Sequence, residues 1–434
     1  ISFAIAPVLA DQVLPFTFQK ADHPVYLFAA EKPQDAWDAL YALHKRGKVA
    51  AAWAVEDSAA QAIMNLSFGN RIGFTAKKGT ALFDKPAPGA IVAELTGPVS
   101  TACALLIGTT TAAPALVLRE DSAAIADLLA LNEEVLEDIY PTRAGEAAPV
   151  PPLSWDKRSP AVCSHKTAQP KAVIPVFPGT NCEYDTARAC LRAGITPEIL
   201  VVRNLTPDAL AQSAQALETA IRAAQMIVLP GGFSGGDEPD GSAKFICALF
   251  RNPRLTEAVH DLLRRRDGLM LGICNGFQAL IKLGLVPYGE IRPAMDQNCA
   301  TLTYNAIGRH QSRYVTTRVA SVQSPWMLKS QVGDLHTIPI SHGEGRFAAP
   351  QALLDQLAAK GQIATQYTSP DGQPNMDIDI NPNGSDLCIE GIFSPDGRVF
   401  GKMGHSERRG AHIAQNIPGD KFQPIFESGA LYFR

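Results

Sequence analysis

The chain has 434 residues, more than one hydrophobic core usually supports, and is 46% hydrophobic against 19% charged, the balance of a soluble globular protein with two or more domains. Its net charge is −4, it has no long basic run, and no apolar stretch reaches the roughly 18–20 residues of a membrane span, which argues against nucleic-acid and membrane partners. The eight cysteines are scattered and form no C-x-x-C pair, so neither a structural zinc site nor a disulfide framework is expected, and a reducing cytoplasm is the expected compartment.

The first stretch, "ISFAIAPVLA", shows no basic region before an apolar run and reads as mid-domain sequence. The expectation is a C-terminal piece of a longer chain. Within residues 1–141, "PVYLFAA" (24–30) and "AIVAEL" (90–95) read as strands, and "QDAWDALYALHKRG" (34–47) reads as a helix closed by Gly47. Leu128, Leu131, Val135, Leu136 and Ile139 recur at helical spacing over 122–139. No catalytic spacing appears here. Residues 142–170 hold five prolines and no period, the mark of a linker between domains, including one that lies ordered on a surface.

From 171 the pattern is α/β. "AVIPVF" (172–177) is a continuous apolar run, as in a parallel strand buried on both faces. A helix follows to Gly194, then strand "EILVV" (198–202). Thr206-Pro207-Asp208 opens the next helix with a cap and an early proline. "MIVLPGG" (226–232) is a strand ending in glycines, and a helix pair leads to "LMLGI" (269–273) and the corner at Cys274. Arg264, Arg265 and Arg266 read as the solvated last turn of a helix. This alternation predicts a doubly wound, mostly parallel sheet with function at the C-terminal ends of its strands. Residues 298–347 read as β-rich, and 387–405 as a hairpin turning at Ser394-Pro395-Asp396-Gly397.

Three features carry chemistry. Cys274 stands in G-x-C-x-G, where Gly272 and Gly276 permit a sharp strand-to-helix corner and the helix N-terminus favours a thiolate. His405 and Glu407 form His-x-Glu, which supplies a base and its orienting group only if the segment is not helical. "LPGGFSGGD" (229–237) exposes backbone N–H groups fit for an oxyanion, and lacks the lysine of a phosphate-binding loop. Each alone has a plain structural explanation; the weight lies on the three together.

In that order, the features resemble the class I (triad-type) glutamine amidotransferases. "PVFPGTNCEYDTA" (175–187), "GGFSGGDE" (231–238), "GICNGFQAL" (272–280), "SHGEGRF" (341–347) and "GKMGHSERR" (401–409) are similar to the glutaminase domains of the phosphoribosylformylglycinamidine synthase family, of the large single-chain type, nearly throughout 172–434. "AIMNLSFGNRIGF" (62–74) resembles the C-terminal lobe of the second synthetase-like repeat, so 1–141 is expected to be a smaller α+β lobe related to aminoimidazole ribonucleotide synthetase, with 171–434 as the amidotransferase domain. Two departures stand out. "AVEDSA" (54–59) lacks the glycine-rich turn expected there, and Ser406 replaces the proline common between histidine and glutamate.

The resemblance implies Cys274 as nucleophile, His405 as acid and base, and Glu407 as its orienting group. Backbone N–H groups of Gly232 and Asn275 would form the oxyanion hole. Gln278, His342, Glu344 and Arg346 would hold the substrate or shape the site. Glutamine hydrolysis would then feed ammonia to the ATP-dependent conversion of formylglycinamide ribonucleotide to the amidine. No metal is expected in the glutaminase half. ATP and Mg2+ would serve the synthetase half, bound mostly outside this chain, whose N-terminal synthetase domains would be the partner. The alternatives are a cysteine hydrolase of similar fold with another substrate, and a non-catalytic docking module.

Overall fold

The computed structural model describes residues 5, 7–80, 83, 86–236 and 242–434. The chain divides into two compact units, Ile1–Pro141 and Thr142–Arg434. Among the described residues no helix is long and apolar enough to cross a membrane.

In the first unit, strand alternation sends apolar side chains to both faces of one sheet. Along Pro24–Phe28, Val25 and Leu27 join one apolar cluster while Tyr26 and Phe28 join another. The sheet has seven strands, antiparallel throughout except where Gly73–Ala76 runs parallel to Ala115–Leu118. Helix Ala59–Phe68 supplies Ala62, Ile63 and Leu66 to the first cluster, and Pro33–His44 supplies Ala36 and Leu40 to the second. The stretch 122–139 differs from its spacing. Asp121–Ala124 is a strand, the helix runs only Ile125–Glu134, and Leu131, Val135, Leu136 and Ile139 are exposed rather than in the core.

The second unit is built on a nine-stranded sheet whose two halves differ. Thr196–Val201, Lys171–Val176, Met226–Leu229, Leu269–Ile273 and Val399–Lys402 are neighbours in that order and run parallel. Ile389–Phe393, Ile363–Thr368, Gln311–Val319 and Leu335–His342 continue it antiparallel. The central strands Met226–Leu229 and Leu269–Ile273 are buried along their whole length, as the continuous apolar runs predict. Thr206 caps helix Pro207–Ala223 by accepting from the Ala209 N–H at 3.1 Å.

The proline-rich stretch after residue 141 is bound along the second unit. Its backbone pairs with the segment just after strand Gln311–Val319, Trp155 N with Ala320 O at 2.8 Å and Val322 N with Trp155 O at 3.1 Å, and Cys163 is buried. A segment with no helix or strand of its own still has to satisfy its backbone polar groups, and here it does so on its neighbours. Arg266 also departs from the solvated reading. Its guanidinium donates to Ile221 O at 3.0 Å and to Ala224 O, closing the C-terminal carbonyls of helix Pro207–Ala223.

Candidate active site

Three parallel strands end side by side, and each end carries one part of the site. The register pairs Leu229 with Gly272, and Gly272 with Gly401. Just beyond these pairs come Gly231 and Gly232 from the first strand, Cys274 from the second and His405 from the third.

Cys274 sits on the corner. Its backbone is at φ 54°, ψ −108°, outside the usual helical and extended regions, and it caps helix Asn275–Leu283. Its N–H donates to Lys402 O at 2.8 Å, tying the corner to the neighbouring strand. The helix can dock so close because Gly276 has no side chain: a Cβ there would stand 2.1 Å from Leu229 O. Cys274 is buried, with Sγ 3.6 Å from the carbonyl oxygen of Ser341.

His405 lies in a turn just after its strand, so the i and i+2 side chains meet. Nδ1 is 2.7 Å from Glu407 Oε1, and the imidazole and carboxylate are both buried. The His405 N–H donates to Pro339 O at 2.9 Å, while Nε2 makes no hydrogen bond. Burial opposes a charged ring, but Glu407 and then Cys274 outweigh it, and the imidazole pKa is raised well above its ordinary value. Gly231 leaves the space where these groups converge. A Cβ on it would stand 2.7 Å from His405 Cε1, 3.0 Å from Cys182 Sγ and 3.4 Å from Cys274 Cβ.

Cys182 was not singled out by sequence reasoning, although it lies within the quoted "PGTNCEYD". It is buried, its Sγ is 3.9 Å from His405 Nδ1, and the Arg408 guanidinium donates to it at 2.9 Å. Cys182, His405 and Glu407 bring ligand atoms within 4.8 Å of one another. A cation there would have to displace the His405–Glu407 hydrogen bond and face the Arg408 charge.

The remaining expected residues sort into braces, cavity walls and one outlier. Asn275 is fully buried; its Oδ1 accepts from Ser234 N at 3.2 Å and its Nδ2 donates to Gln278 Oε1 at 2.8 Å, joining the glycine-rich loop to the corner helix. Gln278 Nε2 donates to Glu344 O at 2.6 Å, so its amide braces the 343–345 turn. Asp237 and Glu238, at the end of the glycine-rich stretch, lie outside the described residues. A cavity of about 320 Å³ opens over Cys274, walled by Gly232, Phe233, Gln278, His342 and Glu344 among others.

Glu344 is buried; Oε2 accepts from Ser242 N at 3.1 Å and Oε1 makes no hydrogen bond. His342 is buried with neither ring nitrogen hydrogen-bonded, and burial, then the charges of His405 and His310, push its pKa down to about 3. Arg346 is the outlier. It stands on a two-stranded ribbon, paired with Thr303, and does not line the cavity.

The arrangement can perform nucleophilic acyl transfer: a cysteine on a strained corner, an imidazole beside it, a carboxylate behind the imidazole, and a cavity over the sulfur. Residues 169–433 match the CobB/CobQ-like glutamine amidotransferase domain family. The phosphoribosylformylglycinamidine synthase subunit PurQ of Aquifex aeolicus (strain VF5) is 33% identical over 252 residues, 57% of this chain and 95% of that protein. The subunit of the same name from Treponema denticola is 35% identical over 251 residues, 55% of this chain and 88% of that protein. Among solved structures, "Structure of PurLQS from Thermotoga maritima" is 26% identical with a TM-score of 0.44, covering 61% of this chain and 99% of that one. The family match takes in more than half of the chain and every residue of the Cys274, His405 and Glu407 arrangement, and this chain belongs to the CobB/CobQ-like glutamine amidotransferase family.

Proposed function

We propose that the second unit hydrolyses glutamine through a thioester on Cys274, and that the ammonia released serves the ATP-dependent conversion of formylglycinamide ribonucleotide to formylglycinamidine ribonucleotide in purine biosynthesis. One observation carries the reading: the buried His405 ring is held by Glu407 at 2.7 Å and stands beside Cys274 on its strained corner, the two flanking Gly231.

In this reading the Cys274 thiolate attacks the side-chain amide carbon of glutamine. Backbone N–H groups of Gly232 and Asn275 receive the developing oxyanion. The C–N bond breaks as His405 gives its proton to the departing ammonia, leaving the thioester. His405 then takes a proton from water, whose oxygen attacks the thioester carbon, and glutamate leaves as the sulfur is released. A raised pKa keeps the His405 proton available for the first half, and Glu407 keeps the ring turned to the sulfur. Glu344, a carboxylate of the cavity wall with Lys282 Nζ 3.8 Å from its Oε2, is the residue assigned to the substrate's α-ammonium. Gln278 and His342 shape the cavity, and Arg346 belongs to the ribbon.

This chemistry requires no metal, because thiolate and imidazole supply nucleophile and proton. ATP and Mg2+ act in the synthetase half, of which residues 1–141 form one lobe, in a large single-chain enzyme of the cytoplasm. Glutamate release from glutamine, followed with and without Cys274→Ala, tests the reading. Release that the substitution abolishes is expected. Release that persists in the variant, or inertness toward both glutamine and glutamine-like diazo ketones, overturns it in favour of another cysteine hydrolase.

A further inference from the structure

We propose that Lys402, paired with Glu390, is the positioning residue that joins the nucleophile and the base. Its kinetic test rests on the glutaminase reading, and its spectroscopic test does not.

Lys402 ends the strand Val399–Lys402, and Glu390 lies in the neighbouring antiparallel strand Ile389–Phe393. Both side chains are fully buried, with Nζ 3.2 Å from Oε1. A lysine ammonium has three protons to place. Here one faces Glu390, one goes to Gly404 O at 2.8 Å and one to Ser406 Oγ at 2.9 Å. Glu390 in turn accepts from Gly404 N at 2.6 Å and from the Thr365 hydroxyl. Ser406 in turn donates its hydroxyl to Gln423 Oε1 at 2.5 Å. These bonds fall on residues 404 and 406, the two that flank His405.

The other arm meets the same residue. The Lys402 carbonyl accepts from Cys274 N at 2.8 Å. One residue therefore fixes the nucleophile corner through its backbone and the base turn through its side chain.

Stability alone does not account for such a pair. Removing two charges from water costs several kcal/mol each, and a well-packed apolar pair of similar volume is often as stable or more so. What the ion pair provides and an apolar pair cannot is a set of directed bonds to a turn containing a glycine. Gly404 imposes little conformational limit, and Ser406 lacks the fixed φ that a proline would impose there. The charged pair takes over that constraint.

The test compares the whole chain with the double substitution Lys402→Met/Glu390→Leu and with Ser406→Ala. Thermal melting reports folding, glutamine kinetics give kcat and KM, and proton NMR follows the downfield Nδ1–H resonance of the His405–Glu407 bond, assigned by its loss in Glu407→Gln. The double variant should fold, lose about 10²-fold in kcat, the cost of a misplacement near 1 Å, hold KM within about threefold, and broaden or lose the resonance. Ser406→Ala should show the same changes to a smaller degree. It decides the matter if the double variant does not fold.

A folded variant that keeps the wild-type kcat and resonance overturns the proposal and leaves the pair as packing. A parallel rise in KM with unchanged kcat does the same. If the wild type does not turn over glutamine, the glutaminase reading fails while the resonance still decides this inference. A wild type without the resonance contradicts the held turn itself.

Discussion

The two arms of the site reach the same point by different means. The nucleophile arm is local: Gly272, Cys274 and Gly276 lie within five residues, and the strained corner follows from what those residues permit. The base arm is assembled from afar. His405 is held by Pro339, Gly404 by Glu390 and Ser406 by Gln423, which reach the turn from other parts of the fold, while Lys402, at the end of the strand that runs into the turn, reaches both flanking residues. A nucleophile must be strained and close to its helix, which glycines achieve within a motif. A base must keep one ring edge free, so the turn is fixed through its neighbours instead.

Cutting the nucleophile arm should have the largest effect. Cys274→Ala should lower glutamine-dependent activity by at least about 10⁴-fold, as loss of a triad nucleophile does. On the proposed function, ammonia-dependent synthesis measured with the synthetase present should survive. Equal loss with both nitrogen sources would make Cys274 structural. On the base arm, His405→Ala should cost about 10²–10⁴-fold in kcat, and Glu407→Gln less, because orientation is impaired while the base remains. A larger loss in Glu407→Gln than in His405→Ala would break that order.

Gly276→Ala separates the arms by stability. Its Cβ would meet Leu229 O at 2.1 Å, so the helix has to move off the sheet. Urea unfolding should show a loss of about 1–3 kcal/mol, while the His405–Glu407 resonance persists. Loss of that resonance too would mean that the arms are not independently held.

An effect of similar size, seen only as pH falls, concerns the cavity wall. His342 has its pKa lowered from 6.5 to about 3, chiefly by burial. The folded state therefore favours the neutral ring. Its contribution is complete above the unfolded value and is lost as pH falls from there toward the folded one. Between pH 7.5 and 5 the wild type should lose about 2 kcal/mol that His342→Gln does not lose. Identical pH slopes in the two proteins would place His342 in water. His405 has the opposite sign: its raised pKa contributes stability below the unfolded value, and that contribution is lost as pH rises through the folded one.

The nucleophile arm was legible in the chain because its causes are adjacent. So were the Thr206 cap and the 394–397 hairpin turn. What escaped depends on residues far apart in sequence. Arg266 looked like a solvated helix end until the helix Pro207–Ala223 lay beside it. An ordered surface course was open for the proline-rich stretch, but not its partners, residues 320 and 322, far along the chain. Val135, Leu136 and Ile139 have core spacing but lie past the end of the helix, and Leu131 faces outward from within it. Cys182 had no glycine frame of its own to mark it. The Lys402–Glu390 pair did leave a trace, a single charge inside each of the apolar runs "CIEGIF" and "VFGK". A charge placed in a buried strand has to be paired there, and that signal was available before the fold was known.

The central claim, that Cys274 forms the covalent intermediate beside a second buried thiol, is tested most directly by labelling. The chain is treated with a glutamine-like diazo ketone, with and without excess glutamine, and the modified peptide is mapped by mass spectrometry. A single adduct on Cys274, suppressed by glutamine and absent in Cys274→Ala, is the predicted result. An adduct on Cys182 instead, or a Cys274 adduct that glutamine does not suppress, would contradict the account.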